Sequence, residues 1–110
     1  MASKDNNSEA QNKEQPDAAF FKRADAHIDL SNSQMGKDAN SGQVSASMMF
    51  SLARFNAWLT AASSGNVIQM LDSKEDAIEY FVAEYKQMLE QNLDEYIENF
   101  DKYMGTRDKE

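Results

Sequence analysis

Few residues of this chain are of a type that does chemistry, and their spacing argues against most of it. His27 is the only histidine, and there is no cysteine. Zinc sites draw mainly on Cys and His. A di-iron bundle needs Glu-x-x-His on two helices, a pattern absent here. Disulfides, thiolate metal centres and a thiol nucleophile fall away with the missing cysteines. His27 shares a helical surface with Ala24 and Ser31, so it reads as a partly buried structural side chain. The loop Asp38-Ala39-Asn40-Ser41-Gly42 lacks the ligand spacing of a calcium-binding EF-hand. No phosphate-cradling glycine loop, dinucleotide fingerprint or nucleophile elbow occurs. The expectation is no catalytic residue, no cofactor and no metal, and so no enzyme.

Two constellations remain. Arg54 is the only charge between Asp38 and Asp72. In so apolar a stretch its guanidinium either reaches water along its stem or pairs with a carboxylate. Asp25, Asp29 and Glu79 are the candidate partners of a structural ion pair. The competing reading is an anion site in an interhelical pocket that uses Arg54 and Asn56. The second constellation is acidic. Glu75, Asp76, Glu79, Glu84, Glu90, Asp94, Glu95, Glu98 and Asp101 meet only Lys86 between residues 75 and 101. Glu75/Glu79, Glu90/Asp94 and Asp94/Glu98 stand four apart, so like charges face one another on a helix. Such a row is either a solvated face or a docking surface for a basic partner. Paired catalytic carboxylates need a cleft, and an open helix face has none.

The elements that position these residues follow from periodicity. Residues 1–15 hold no aromatic or branched aliphatic side chain, which predicts a disordered polar tail. Pro16 suits a first helical turn. Phe20, Phe21, Ala24, His27, Ile28 and Ser31 then recur at helical spacing, predicting a helix over about 17–34 closed by Gly36. A second helix over about 43–64 has Ser41 as candidate N-cap and Gly65 as terminator. Val44, Met48, Leu52, Phe55, Leu59 and Ala62 form one of its faces. Ala46, Phe50, Ala53, Ala57 and Ala61 form another. Apolar residues on two faces predict burial on both, which makes this the central buried helix of the fold.

Residues 66–71 read as a short apolar connector, with a single helical turn as the alternative. Ser73 with Asp76 resembles a capping box, so the third helix is predicted over about 73–104, before a frayed tail at 105–110. Its stripe is Ile78, Val82, Tyr85, Leu89, Leu93, Tyr96, Phe100 and Met104. That spacing repeats every eleven residues and keeps the stripe on a nearly straight helix. A kink at Asn92 is the alternative. At ~1.5 Å per residue this helix spans about 48 Å, longer than the other two by roughly three turns. The overhang carries Tyr96, Phe100, Tyr103 and Met104. Exposed aromatics in a row call for cover; a homodimer is the expected source, and the 66–71 connector or the first helix folding back over them is the alternative. The prediction is thus an all-α fold, a single helical domain over 16–104 with a long acidic third helix.

Composition sets the remaining bounds. The chain has 110 residues, net charge −8, four Gly and one Pro, which suits one domain of long helices. Residues 1–71 hold seven acids and six bases, while residues 72–110 hold twelve acids and five bases. This balance disfavours nucleic acid, whose phosphates need clustered Lys and Arg. The most apolar stretch, Val44 to Ala62, carries Arg54 at its middle, which disfavours a membrane span. With no apolar leader in residues 1–15, a cytoplasmic location is expected.

The strings FFKRADAHIDLSNSQ, VSASMMFSLARFNAW and EDAIEYFVAEY, followed by MLEQNLDEYIENFDKYM, resemble a small proteobacterial family, domain of unknown function 3144. RADAHI, VSAS, ARFNA and ENFDKYM occur in that order over residues 20–104. The resemblance implies a compact helical bacterial protein and carries no catalytic residue. The function expected from the whole reading is a non-enzymatic protein-interaction or adaptor module, self-associating as a homodimer. It would present Tyr96, Phe100, Tyr103 and Met104 beside Glu90, Asp94 and Glu98. A small-molecule or anion-binding module around Arg54 is the alternative.

Overall fold

Asp17 starts the first helix. Its backbone carbonyl accepts the Phe20 N–H at 3.0 Å and its Oδ1 accepts the Ala19 N–H at 3.0 Å. Two donors that the first turn leaves without intrahelical partners are thereby satisfied. The helix, α1, runs Phe20–Gln34. The structure is a computed structural model that describes residues 17–105, so the predicted tail at 1–15, Pro16, and all of the predicted tail at 105–110 except Gly105 lie outside the described residues. α1 ends at Gln34, two residues before the closing glycine. Met35 is extended (φ −79°, ψ 145°), and Gly36 follows at φ 146°. Its N–H reaches forward to the Ala39 carbonyl at 3.0 Å. A side chain would strain that positive φ.

α2 runs Ser41–Ala62, and its cap is Asn40, not Ser41. Asn40 Oδ1 accepts the Gln43 N–H at 2.8 Å, and Gln43 Oε1 accepts the Asn40 N–H at 2.9 Å. This is a reciprocal capping box. Ser41 loses the competition because the residue three on is Val44, which has no acceptor to return. At the far end the Ser63 and Ser64 hydroxyls both donate to the Thr60 carbonyl, at 3.1 and 2.8 Å.

α3 runs Val67–Glu98, so residues 67–71 are helix where a connector was expected. Asn66 Oδ1 accepts the Gln69 N–H at 2.9 Å, and Gln69 Oε1 accepts the Gly65 N–H at 2.7 Å. Ser73, the predicted cap, sits inside the helix with its hydroxyl on the Met70 carbonyl. At Asn92 the helix continues, with the side-chain amide donating back to the Met88 carbonyl at 2.8 Å. The break comes seven residues later at Asn99 (φ −118°, ψ 32°). α4, Phe100–Met104, follows it. The three long helices and the short fourth, with no strand among the described residues, make the fold all-α.

By its contacts the chain divides into two units, with the boundary between Ala53 and Arg54, inside α2. The described part of the first unit holds α1, the 35–40 loop and the first half of α2. Among its described residues, no two helices pack face to face. The second holds the rest of α2, α3 and α4, and there α4 packs on the end of α3. The expected central burial of the second helix is not found. Val44, 5% exposed, is the one buried apolar residue among those described, whereas Phe50 and Trp58 on the same helix are 69% and 60% exposed. The physical reason is that apolar residues on two faces state a need for cover. They do not specify whether the same chain supplies it.

Candidate interaction surface

Among the described residues, side chains from two helices converge at the junction of α3 and α4. A continuous helix would hold Glu95 and Tyr103 two turns apart, ~12 Å along the axis. The break at Asn99 removes that separation. Asn99 ties itself to the Glu95 carbonyl through both its backbone N–H and its side-chain amide, each at 3.0 Å. α4 then turns back, and the Tyr103 hydroxyl donates to Glu95 Oε2 at 2.6 Å. The Tyr103 ring lies against Tyr96, centroids 4.8 Å apart and tilted by 51°, within the range of favourable aromatic pairing. Lys102 Nζ stands 5.9 Å from the centre of the Tyr103 ring, close enough for a weak cation–π contact.

This arrangement holds the Tyr103 phenol above its ordinary pKa of 10.0. The hydrogen bond to the Glu95 carboxylate is the largest cause; partial desolvation and the Glu95 charge add to it. Ionising Tyr103 would break that bond and set two anions side by side. The junction therefore favours a neutral donor on an anionic acceptor.

Of the predicted surface, Tyr96, Phe100, Tyr103 and Met104 do gather at this end, and all four remain exposed. Glu90, Asp94 and Glu98 stand exposed on α3. The Glu95–Tyr103 bond has no signal of its own in the sequence, because an eight-residue separation gives no pairing on an unbroken helix. Asn99 was the available sign, as an Asn whose side chain competes for the helix's own carbonyls.

The residues of the Arg54 constellation are divided between the two units. Arg54 is exposed on α2, and Asn56 beside it is half-buried. Glu79 belongs to the same unit and is not within ion-pair distance of Arg54. Asp25 and Asp29 are exposed on α1 and belong to the first unit. The ion pair recorded in that unit is Arg23 with Asp17 at 3.4 Å, an open contact of small worth, ~0–1 kcal/mol. His27, expected to be partly buried, is exposed, because the face of α1 that carries it has nothing packed on it. No cluster of three or more His, Asp or Glu among the described residues is arranged to hold a metal ion. No helix among them is long and apolar enough to cross a membrane.

Residues 20–97 match the family described as Protein of unknown function (DUF3144). The chain belongs to that family. The match takes in α1, α2 and nearly all of α3, and ends two residues before the Asn99 break. The chain is also similar to a solved structure, an NMR structure of the protein NB7890A from Shewanella sp.. The two are 41% identical, and the likeness covers 83% of this chain and 96% of that one, at a TM-score of 0.70. No curated protein matches this DUF3144 chain.

Proposed function

We propose that this protein acts by binding rather than by catalysis, as a protein-interaction module that self-associates as a homodimer. The supporting observation is the quantity of uncovered apolar surface. Every large apolar side chain of α2 after Val44 is exposed, as are Ile78, Val82, Leu89 and Leu93 along α3. Helices draw most of their stability from a packed amphipathic face. Contiguous apolar patches beyond a few hundred Å² mark interaction sites on soluble proteins. The acidic side of α3 and the aromatic junction at Tyr96 and Tyr103 would then be what the assembled module presents to others.

Sedimentation equilibrium on the full chain, from millimolar down to sub-micromolar, tests this reading. The expected outcome is a dimer that dissociates on dilution and loses helicity as it does so. A monomer at every concentration, with a cooperative thermal transition, overturns it.

A further inference from the structure

We infer that α2 is the self-association face, and that its occupant is the α2 of a second copy of this chain, running antiparallel across a twofold axis. The inference rests on the homodimer reading above and names the surface that would carry it.

Charge selects the helix. α3 holds nine acids and two bases between Val67 and Glu98, so pairing α3 with its own copy would bring two strongly negative rods together, and like charges across an interface are costly. α2 holds no acid and one base, Arg54. At 100° per residue Arg54 projects about 130° from the centre of the stripe formed by Met48, Leu52, Phe55 and Leu59, so it points away from that stripe and does not obstruct it.

Pattern selects the orientation. α2 runs Ser41–Ala62, so its midpoint falls between Ser51 and Leu52. Met48 and Phe55 stand equally far from that midpoint, one on either side of it. An antiparallel copy therefore sets Met48 opposite Phe55 twice over, with Ser51 opposite Leu52 beside the axis. A self-complementary pattern of this kind is what an isologous contact requires.

Area is sufficient. Met48, Leu52, Phe55, Trp58 and Leu59 are each 37–60% exposed. With ~200 Å² per large side chain, about half of it open, they offer on the order of 500 Å² per copy. A pair then removes about 1,000 Å² through these side chains alone, the level a specific interface clears. Phe55 and Trp58 already lie ring against ring, centroids 5.7 Å apart, a preassembled anchor of the kind that dominates interfaces.

The chain has no cysteine, so single-cysteine variants of the full chain report on neighbours directly. Ser51→Cys, beside the axis, is expected to give a disulfide-linked dimer under mild oxidation, while Ala53→Cys, on the opposite side of the helix, stays monomeric on a non-reducing gel. Met48→Cys mixed with Phe55→Cys is expected to cross-link where Met48→Cys alone does not. Phe55→Glu is expected to raise the dimer Kd at least a hundredfold, whereas Phe100→Glu leaves it within threefold. Dissociation by Phe100→Glu with Phe55→Glu still dimeric, no cross-link through Ser51→Cys, or cross-linking by Met48→Cys alone overturns this inference and leaves the homodimer reading standing. A wild-type monomer at all concentrations overturns both.

Discussion

α2 and α3 solve opposite problems with the same backbone. α2 has one charge in twenty-two residues, and α3 has eleven in thirty-two. Both helices begin the same way, with an asparagine carboxamide accepting an N–H three residues on and a glutamine reaching back. The difference lies entirely in what stands on the outside. α3 tolerates water on most of its circumference, because its stripe is narrow and its flanks are acidic. α2 tolerates water on almost none. The comparison shows that helix formation and helix burial are separate demands. The first is met locally by caps and propensity, and the second requires a neighbour that the described chain does not place on α2.

The comparison breaks most decisively at α2. Trp58→Ala should lower stability by about 3 kcal/mol or more if the side chain is covered on assembly, measured by urea denaturation at high protein concentration. The matching truncation on α3, Leu93→Ala, should cost less than half as much. Equal losses would erase the distinction. Next is the shared start. Asn40→Ala removes one half of the α2 clasp and should cost about 1 kcal/mol, as should Asn66→Ala for α3. A loss confined to one helix would show that the two caps are not equivalent. Smaller again is the acidic face. Asp94→Lys turns two like-charge pairs, with Glu90 and Glu98, into attractive ones, and should stabilise by about 0.5 kcal/mol. That gain should fade as salt is raised; an undiminished gain in molar salt would deny its electrostatic origin.

The smallest effect belongs to the junction. Tyr103 has a folded-state pKa above the ordinary tyrosine value. Its bond therefore contributes fully below that ordinary value, and the contribution disappears as pH rises through the folded-state pKa. Phenolate absorbance should show one of the four tyrosines ionising late, and Glu95→Gln should bring that transition down. An unchanged titration would mean that the Glu95 bond is not formed in solution.

Much of this was legible beforehand. Spacing at Phe20–Ile28, Val44–Leu59 and Ile78–Leu93 announces three helices, because a 3.6-residue period leaves a stripe that no strand reproduces. The starts were legible only in part. Asn40 and Asn66 sit among glycines and serines and read as loop, although each is followed three residues later by a glutamine. That pairing is the signal, and Ser41 and Ser73 compete with it as cap-type residues close by. The break left no mark beyond Asn99 itself, since Phe100 and Met104 continue the apolar phase of α3. The aromatic cluster at the C-terminal end could be anticipated, but not its internal bond. The cover expected over α2 was not legible, because composition records the thirst of a surface for a partner and carries no coordinates for one.

The glutamine latches at the starts of α2 and α3 have a consequence for behaviour in acid. A carboxamide neither gains nor loses a proton across the range in which carboxylates titrate. Acidification discharges the acidic flank of α3 while both latches stay closed. A low-pH form of this protein would thus keep its two longest rods while losing the repulsion that holds their copies apart, which makes acid a condition for clustering rather than for unravelling.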